Sequence, residues 1–227
     1  MTTESLLLLS GTLADERLWA QQLAGLSLYA DVSLPDLTQH GTVGAVAAAV
    51  LESAPPQFAL AGFSMGGVVA QEMLYQAPHR VTRLALLDTS TGVPSAEKLE
   101  RFRSWRSADE ATFEDLLKVF PSWIHPANEG VAPLVKTMGR DLGLEVFRRQ
   151  AGILLTQQNE PERLRGVRGP ALIIHGENDP ASTLSDNKRM AELIPRAKRI
   201  SLAACGHYSV LEKPETVTAL LQYWLQE

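Results

Sequence analysis

Apolar residues fall in short runs that alternate with helical patterns along most of the chain, the arrangement expected of βαβ units around a mostly parallel sheet. Residues 5–9, 29–34, 58–63, 81–87, 171–174 and 198–202 read as strands, 29–34 more weakly, and the near-continuous apolar character of the first four runs suits strands covered by helices on both faces. Residues 42–51, 65–76, 183–193 and 215–225 read as helices, the first ended before Pro55-Pro56 and the second stopped by Pro78. The alternation breaks from Gly92 to Pro161, where helical periodicity continues without a strand. There Phe147, Ala151, Leu154 and Leu155 recur at helical spacing and predict an amphipathic helix over 144–155. Ser107 and Glu110 have the spacing of a capping box for a helix that carries Phe113, Leu116, Leu117 and Phe120 as far as Pro121, and Ser95 caps the helix before it. The pattern divides the chain into a first core part at 1–91, a helical insertion at 92–161 and a second core part at 162–227.

Composition narrows the field. At 227 residues, 45% apolar and 21% charged, the chain has the make-up of one globular domain with a substantial core. Cys205 is its single cysteine, so neither an internal disulfide nor a thiolate cage is available, and a reducing, cytoplasmic setting is expected. The net charge of −5 leaves no basic footprint for nucleic acid, because Arg101, Arg103 and Arg106 are interleaved with Glu97, Glu100, Asp109 and Glu110. The apolar run at 6–9 is too short for a signal core, and no stretch approaches the 18 or so apolar residues of a membrane span. No spacing implies a metal or a cofactor, so none is expected, and the partner is expected to be a small-molecule substrate.

The chemistry concentrates at Gly62-Phe63-Ser64-Met65-Gly66, a G-x-S-x-G sequence between a predicted strand and a predicted helix. That is the setting of a nucleophile elbow, whose glycines allow a sharp reversal while the serine oxygen stays exposed. A serine hydroxyl needs a base, and the base needs an orienting group. Of the five histidines, His207 follows Cys205-Gly206 in a loop just after the last predicted strand, whereas His175 at a strand end reads as packed and His79 as a surface residue. For the carboxylate, Glu177 and Asp179 both follow the strand at 171–174. Asp179 is favoured because the turn before Pro180 holds a short side chain rigidly, and Asp88 at the end of 81–87 is the alternative.

The order Ser64, Asp179, His207, with the elbow after a central strand, resembles the α/β-hydrolase superfamily. The resemblance rests on Gly62-Phe63-Ser64-Met65-Gly66-Gly67, on His175-Gly176-Glu177-Asn178-Asp179 and on Gly206-His207 followed by Glu212-Lys213-Pro214, and it spans nearly the whole chain. It implies an α/β-hydrolase fold with a mostly parallel six-stranded sheet flanked by helices, since the family's usual first two strands have no room before Ser5. It also implies that residues 92–161 form a cap over the site. Ser10-Gly11-Thr12 resembles the family's first oxyanion loop, with Ser10 in place of the usual histidine, and by that match the backbone N–H groups of Thr12 and Met65 hold the oxyanion. Trp105, Phe113, Phe120, Trp123 and Phe147 either line an acyl pocket or stack in the cap's own core. The activity implied is that of a serine carboxylesterase, with a carbon–carbon hydrolase or lyase, a thioesterase, or a silent ligand-binding member as alternatives. In the carbon–carbon case, Arg148 or Arg149 would grip a carboxylate.

Overall fold

The computed structural model describes residues 4–157 and 160–227, so residues 158 and 159 of the insertion lie outside the described residues. Its elements run β1 Glu4–Leu9, α1 Ala20–Leu26, β2 Ala30–Ser33, α2 Val43–Ser53, β3 Phe58–Phe63, α3 Met65–Gln76 and β4 Val81–Leu87. They continue with α4 Ala96–Arg106, α5 Glu110–Val119, α6 Ala132–Leu155, β5 Ala171–Gly176, α7 Leu184–Leu193, β6 Ala197–Leu202, α8 Ser209–Glu212 and α9 Pro214–Leu225. The six strands form one sheet in the order β2-β1-β3-β4-β5-β6, and every pairing is parallel.

The register sets up the site. Leu9 pairs with Gly62 and Gly62 with Leu86, so the carboxyl ends of β1, β3 and β4 finish side by side, while Gly176 of β5 pairs with Leu202 of β6. The loops that follow these ends carry Thr12, Ser64, Asp88, Asp179 and His207, along the edge where open α/β sheets bind their ligands. The inner strands are buried almost without interruption from Leu6 to Leu9, along Phe58–Phe63 and from Leu84 to Leu87, which removes a few kcal/mol of apolar exposure at each large side chain. Helices α1 and α9 pack on each other, as do α2 and α3, and between them they cover the sheet.

Within the insertion α4 and α5 pack on α6, and α6 also touches α2 and α3. Two local expectations are corrected here. Asp109, not Ser107, caps α5, accepting a hydrogen bond from Thr112 N–H at 2.8 Å. Ser107 instead closes α4, its hydroxyl donating to Arg103 O, because the chain reaches position 107 while still leaving that helix. The helix expected over 144–155 begins at Ala132, with Gly143 (φ 79°) breaking it into two stretches. The first stretch buries Val135, Met138 and Gly139, the last lying against Leu117 and Leu13, so the helical spacing of Leu134, Val135, Met138 and Leu142 was a signal that sequence reasoning missed.

Candidate active site

The elbow is strained and tightly held. Ser64 has φ 52° and ψ −117°, a conformation that costs a non-glycine residue on the order of 1–3 kcal/mol. Its N–H donates to Leu87 O at 2.9 Å and its carbonyl accepts the Thr89 hydroxyl at 2.8 Å, so β4 and the loop after it brace the turn. The two motif glycines are steric requirements: a Cβ on Gly62 would collide with the Gly66 backbone, and one on Gly66 with the Leu9 carbonyl.

His207 is delivered by a loop stapled on both sides. The N–H groups of Gly206 and Tyr208 donate to Glu212 at 2.8 and 3.0 Å, and His207 N–H donates to Trp123 O at 2.8 Å. Glu212 also accepts His125 N–H and the Asn128 amide, both at 3.0 Å, which ties the insertion to the same carboxylate. His207 Nε2 lies 2.9 Å from Ser64 Oγ, and its Nδ1 lies 2.9 Å from each Asp179 carboxylate oxygen. Asp179 is fixed in turn by the N–H groups of Ala181 (2.7 Å) and Ser182 (3.2 Å) and by the Ser182 hydroxyl (2.6 Å). The structure therefore brings Ser64, His207 and Asp179 into one hydrogen-bonded chain.

The electrostatics follow from burial and pairing. Burial alone would lift the Asp179 carboxyl, yet the charge and hydrogen bond of His207 and the donors of Ser182 and Ala181 hold it below the usual carboxylate range. Burial likewise would lower His207, but Asp179, then Asp88 and Glu212, raise it above an ordinary imidazole. Asp88 sits apart. Its oxygens accept Gly176 N–H at 2.9 Å and Ser209 N–H at 3.3 Å, and burial followed by the neighbouring Asp179 pushes its carboxyl up to about 8. His175 is buried at the end of β5, with burial lowering its basicity, whereas His79 and Glu177 are exposed. Donor atoms of Asp88, His175 and Asp179 lie within 4.8 Å of one another, but all four carboxylate oxygens already have hydrogen-bond donors.

Thr12 and Met65 line the cavity beside Ser64, and among the described residues their N–H groups have no internal acceptor. The next residue, Leu13, is held at φ 53° by a hydrogen bond that sequence reasoning missed: its N–H donates to Gln150 Oε1 at 2.8 Å. The signal was present, since Gln150 stands three residues after Phe147 and four before Leu154, a polar residue on the apolar face of its helix. Gln150 thus fastens the Thr12 loop to the insertion. Gln150→Leu is expected to lower kcat roughly tenfold with a smaller change in KM, because the freed loop misplaces one donor. Steady-state kinetics on the folded variant check this, and an unchanged kcat would show that Gln150 does not position the Thr12 loop for the reaction.

A cavity of about 380 Å³ lies between the strand ends and the insertion, with Ser64 and His207 in its wall. Trp105, Phe120 and Trp123 line it, while Phe113 and Phe147 do not. Phe147 stacks instead on Trp105 and Phe113, with ring centres 5.5 and 5.7 Å apart, so Phe113 and Phe147 pack among α4, α5 and α6 and Trp105 joins them to the cavity wall. Arg148 and Arg149 do not reach the cavity: Arg148 donates to Ala108 O and pairs with Glu145, and Arg149 donates to Thr38 O. Among the described residues no helix is long and apolar enough to cross a membrane.

A family model described as the alpha/beta hydrolase family matches residues 6–220. The chain is 26% identical to a pimeloyl-(acyl-carrier protein) methyl ester esterase of Aromatoleum aromaticum, over 98% of each chain. It is also 26% identical to the pyrrolizixenacetamide deacetylase of Xenorhabdus hominickii, over 97% of this chain and 90% of that one. Among solved structures, the enol-lactonase of Burkholderia xenovorans LB400 shares the fold with a TM-score of 0.86 at 22% identity, covering 100% of this chain and 93% of the other.

Proposed function

Because the chain belongs to the alpha/beta hydrolase family, we propose that it is a serine hydrolase that cleaves a small-molecule carboxylic ester through an acyl-enzyme on Ser64. The observation that carries this reading is the hydrogen-bonded chain Ser64–His207–Asp179, whose Ser64 and His207 stand in the wall of the cavity. His207 Nε2 takes the Ser64 proton as Oγ attacks the ester carbonyl, and the oxyanion sits against the N–H groups of Thr12 and Met65. Collapse of the tetrahedral species breaks the bond to the alkoxy group, which leaves as the alcohol with the proton held by His207. Water then attacks the acyl-enzyme with His207 again as base, and the acid and free Ser64 are restored. Similarity to an esterase and a deacetylase along nearly the whole chain supports acyl transfer as the reaction class.

The test is intact mass after exposure to a fluorophosphonate. One adduct is expected on the wild-type protein and none on Ser64→Ala. A well-folded wild-type chain that stays unmodified, or an adduct that persists in the variant, would overturn the assignment.

A further inference from the structure

One face of α4 looks into the cavity: Lys98, Arg101, Phe102 and Trp105, at helical spacing, all line it. Phe102 and Trp105 continue the apolar wall, but Lys98 and Arg101 bring two positive charges. Most arginines placed here are spoken for; Arg103 on the same helix, for example, pairs with Glu100. Among the described residues neither Lys98 nor Arg101 has a carboxylate partner, and Lys98 Nζ reaches only Ala181 O at 3.1 Å. Arg101 Nε is buried and donates to nothing among the described residues. A guanidinium stays charged at any working pH, and a buried N–H without an acceptor is unfavourable, so the site is poised for an acceptor that arrives with the ligand.

The other charges facing the cavity do not satisfy this need. Asp186 lines the wall, but its Oδ2 is taken by the N–H and hydroxyl of Thr183. Asp88, also in the wall, accepts the N–H groups of Gly176 and Ser209, and Asp179, which does not line the cavity, is engaged by His207. From the unpartnered Arg101 beside an apolar wall we infer that the substrate carries, besides its ester, a carboxylate at the end of an apolar chain, and that Arg101 binds that carboxylate. This names the substrate class for the esterase reading above and rests on it.

The experiment compares kcat/KM for monomethyl adipate with that for dimethyl adipate, which has the same chain and no free acid. Wild type is expected to prefer the monoester about 30-fold, in line with one charge-assisted hydrogen-bond pair. The ratio is expected to fall to about one in Arg101→Met and to be partly restored in Arg101→Lys. Arg148→Met, whose guanidinium lies outside the cavity, should keep the wild-type ratio, and thermal melts establish that each variant is folded. No preference in wild type, or a preference that survives in Arg101→Met, would overturn the subsite. Calorimetric binding of free adipate to wild type and to Arg101→Met separates the two claims. If neither ester turns over and Ser64 takes no fluorophosphonate, the esterase reading fails, and the subsite then stands only if adipate binds wild type at least tenfold more tightly than Arg101→Met.

Discussion

Ser64→Ala is expected to lower kcat/KM for an activated ester by about 10⁶-fold, and His207→Ala by a loss of the same order. The two residues act on one proton: Ser64 Oγ lies 2.9 Å from His207 Nε2, and neither a hydroxyl without the imidazole nor an imidazole without the hydroxyl can form the acyl-enzyme. The double variant should therefore be no slower than either single one, the residual rate coming from the free N–H groups of Thr12 and Met65 acting on water attack. The hydroxyl contributes little to the fold, because the unusual backbone at position 64 is braced by Leu87 O and the Thr89 hydroxyl through main-chain atoms that alanine retains. Hydrolysis of a p-nitrophenyl ester by the three variants, each with an intact melting transition, checks this. Losses that add in the double variant, or a Ser64→Ala rate within a hundredfold of wild type, would mean that the ester is cleaved elsewhere.

Much of this arrangement is legible in the sequence because the inner strands of the sheet are buried on both faces. Continuous apolar runs bounded by turns located the four inner strands, with 58–63 and 81–87 matching the structure at both ends, while the half-buried edge strands β2 and β6 followed from the alternation with helices. The elbow is equally visible, since a strained turn between strand and helix tolerates few residues at positions 62 and 66. What escaped the sequence is held by long-range polar contacts. Gln150 reaches Leu13 across 137 positions, and Glu212 gathers four donors from two parts of the chain, partners that no local pattern announces. The arginines show the same limit. Composition alone gives no reason to separate Arg101 from Arg148, and only the packing of α4 turns the first toward the cavity and leaves the second bonded to Ala108 O and Glu145.

Asp179→Asn is expected to slow ester hydrolysis by about 10⁴-fold, and the structure gives the reason in atoms. Two backbone N–H groups, from Ala181 and Ser182, hold Oδ1 of residue 179, so in the variant the amide oxygen keeps that place and the amide nitrogen takes the place of Oδ2. There it donates to His207 Nδ1, which moves the ring proton to Nε2 and points an N–H, not a lone pair, at Ser64. The pH profile supplies a second signature. In wild type the raised His207 pKa means that kcat/KM falls as pH drops through a midpoint above the ordinary imidazole value of about 6.5. Without the carboxylate of residue 179, burial dominates and the midpoint moves to lower pH. Asp88 is not expected to rescue the variant. Loss of the neighbouring charge favours its ionisation, yet its oxygens remain directed at Gly176 N–H and Ser209 N–H, with no bond to His207 among the described residues. Asp88→Asn should accordingly cost no more than about tenfold, since it perturbs the field around His207 without changing its tautomer. A loss in Asp88→Asn as large as that in Asp179→Asn, or a wild-type midpoint unmoved in Asp179→Asn, would transfer the orienting role to Asp88.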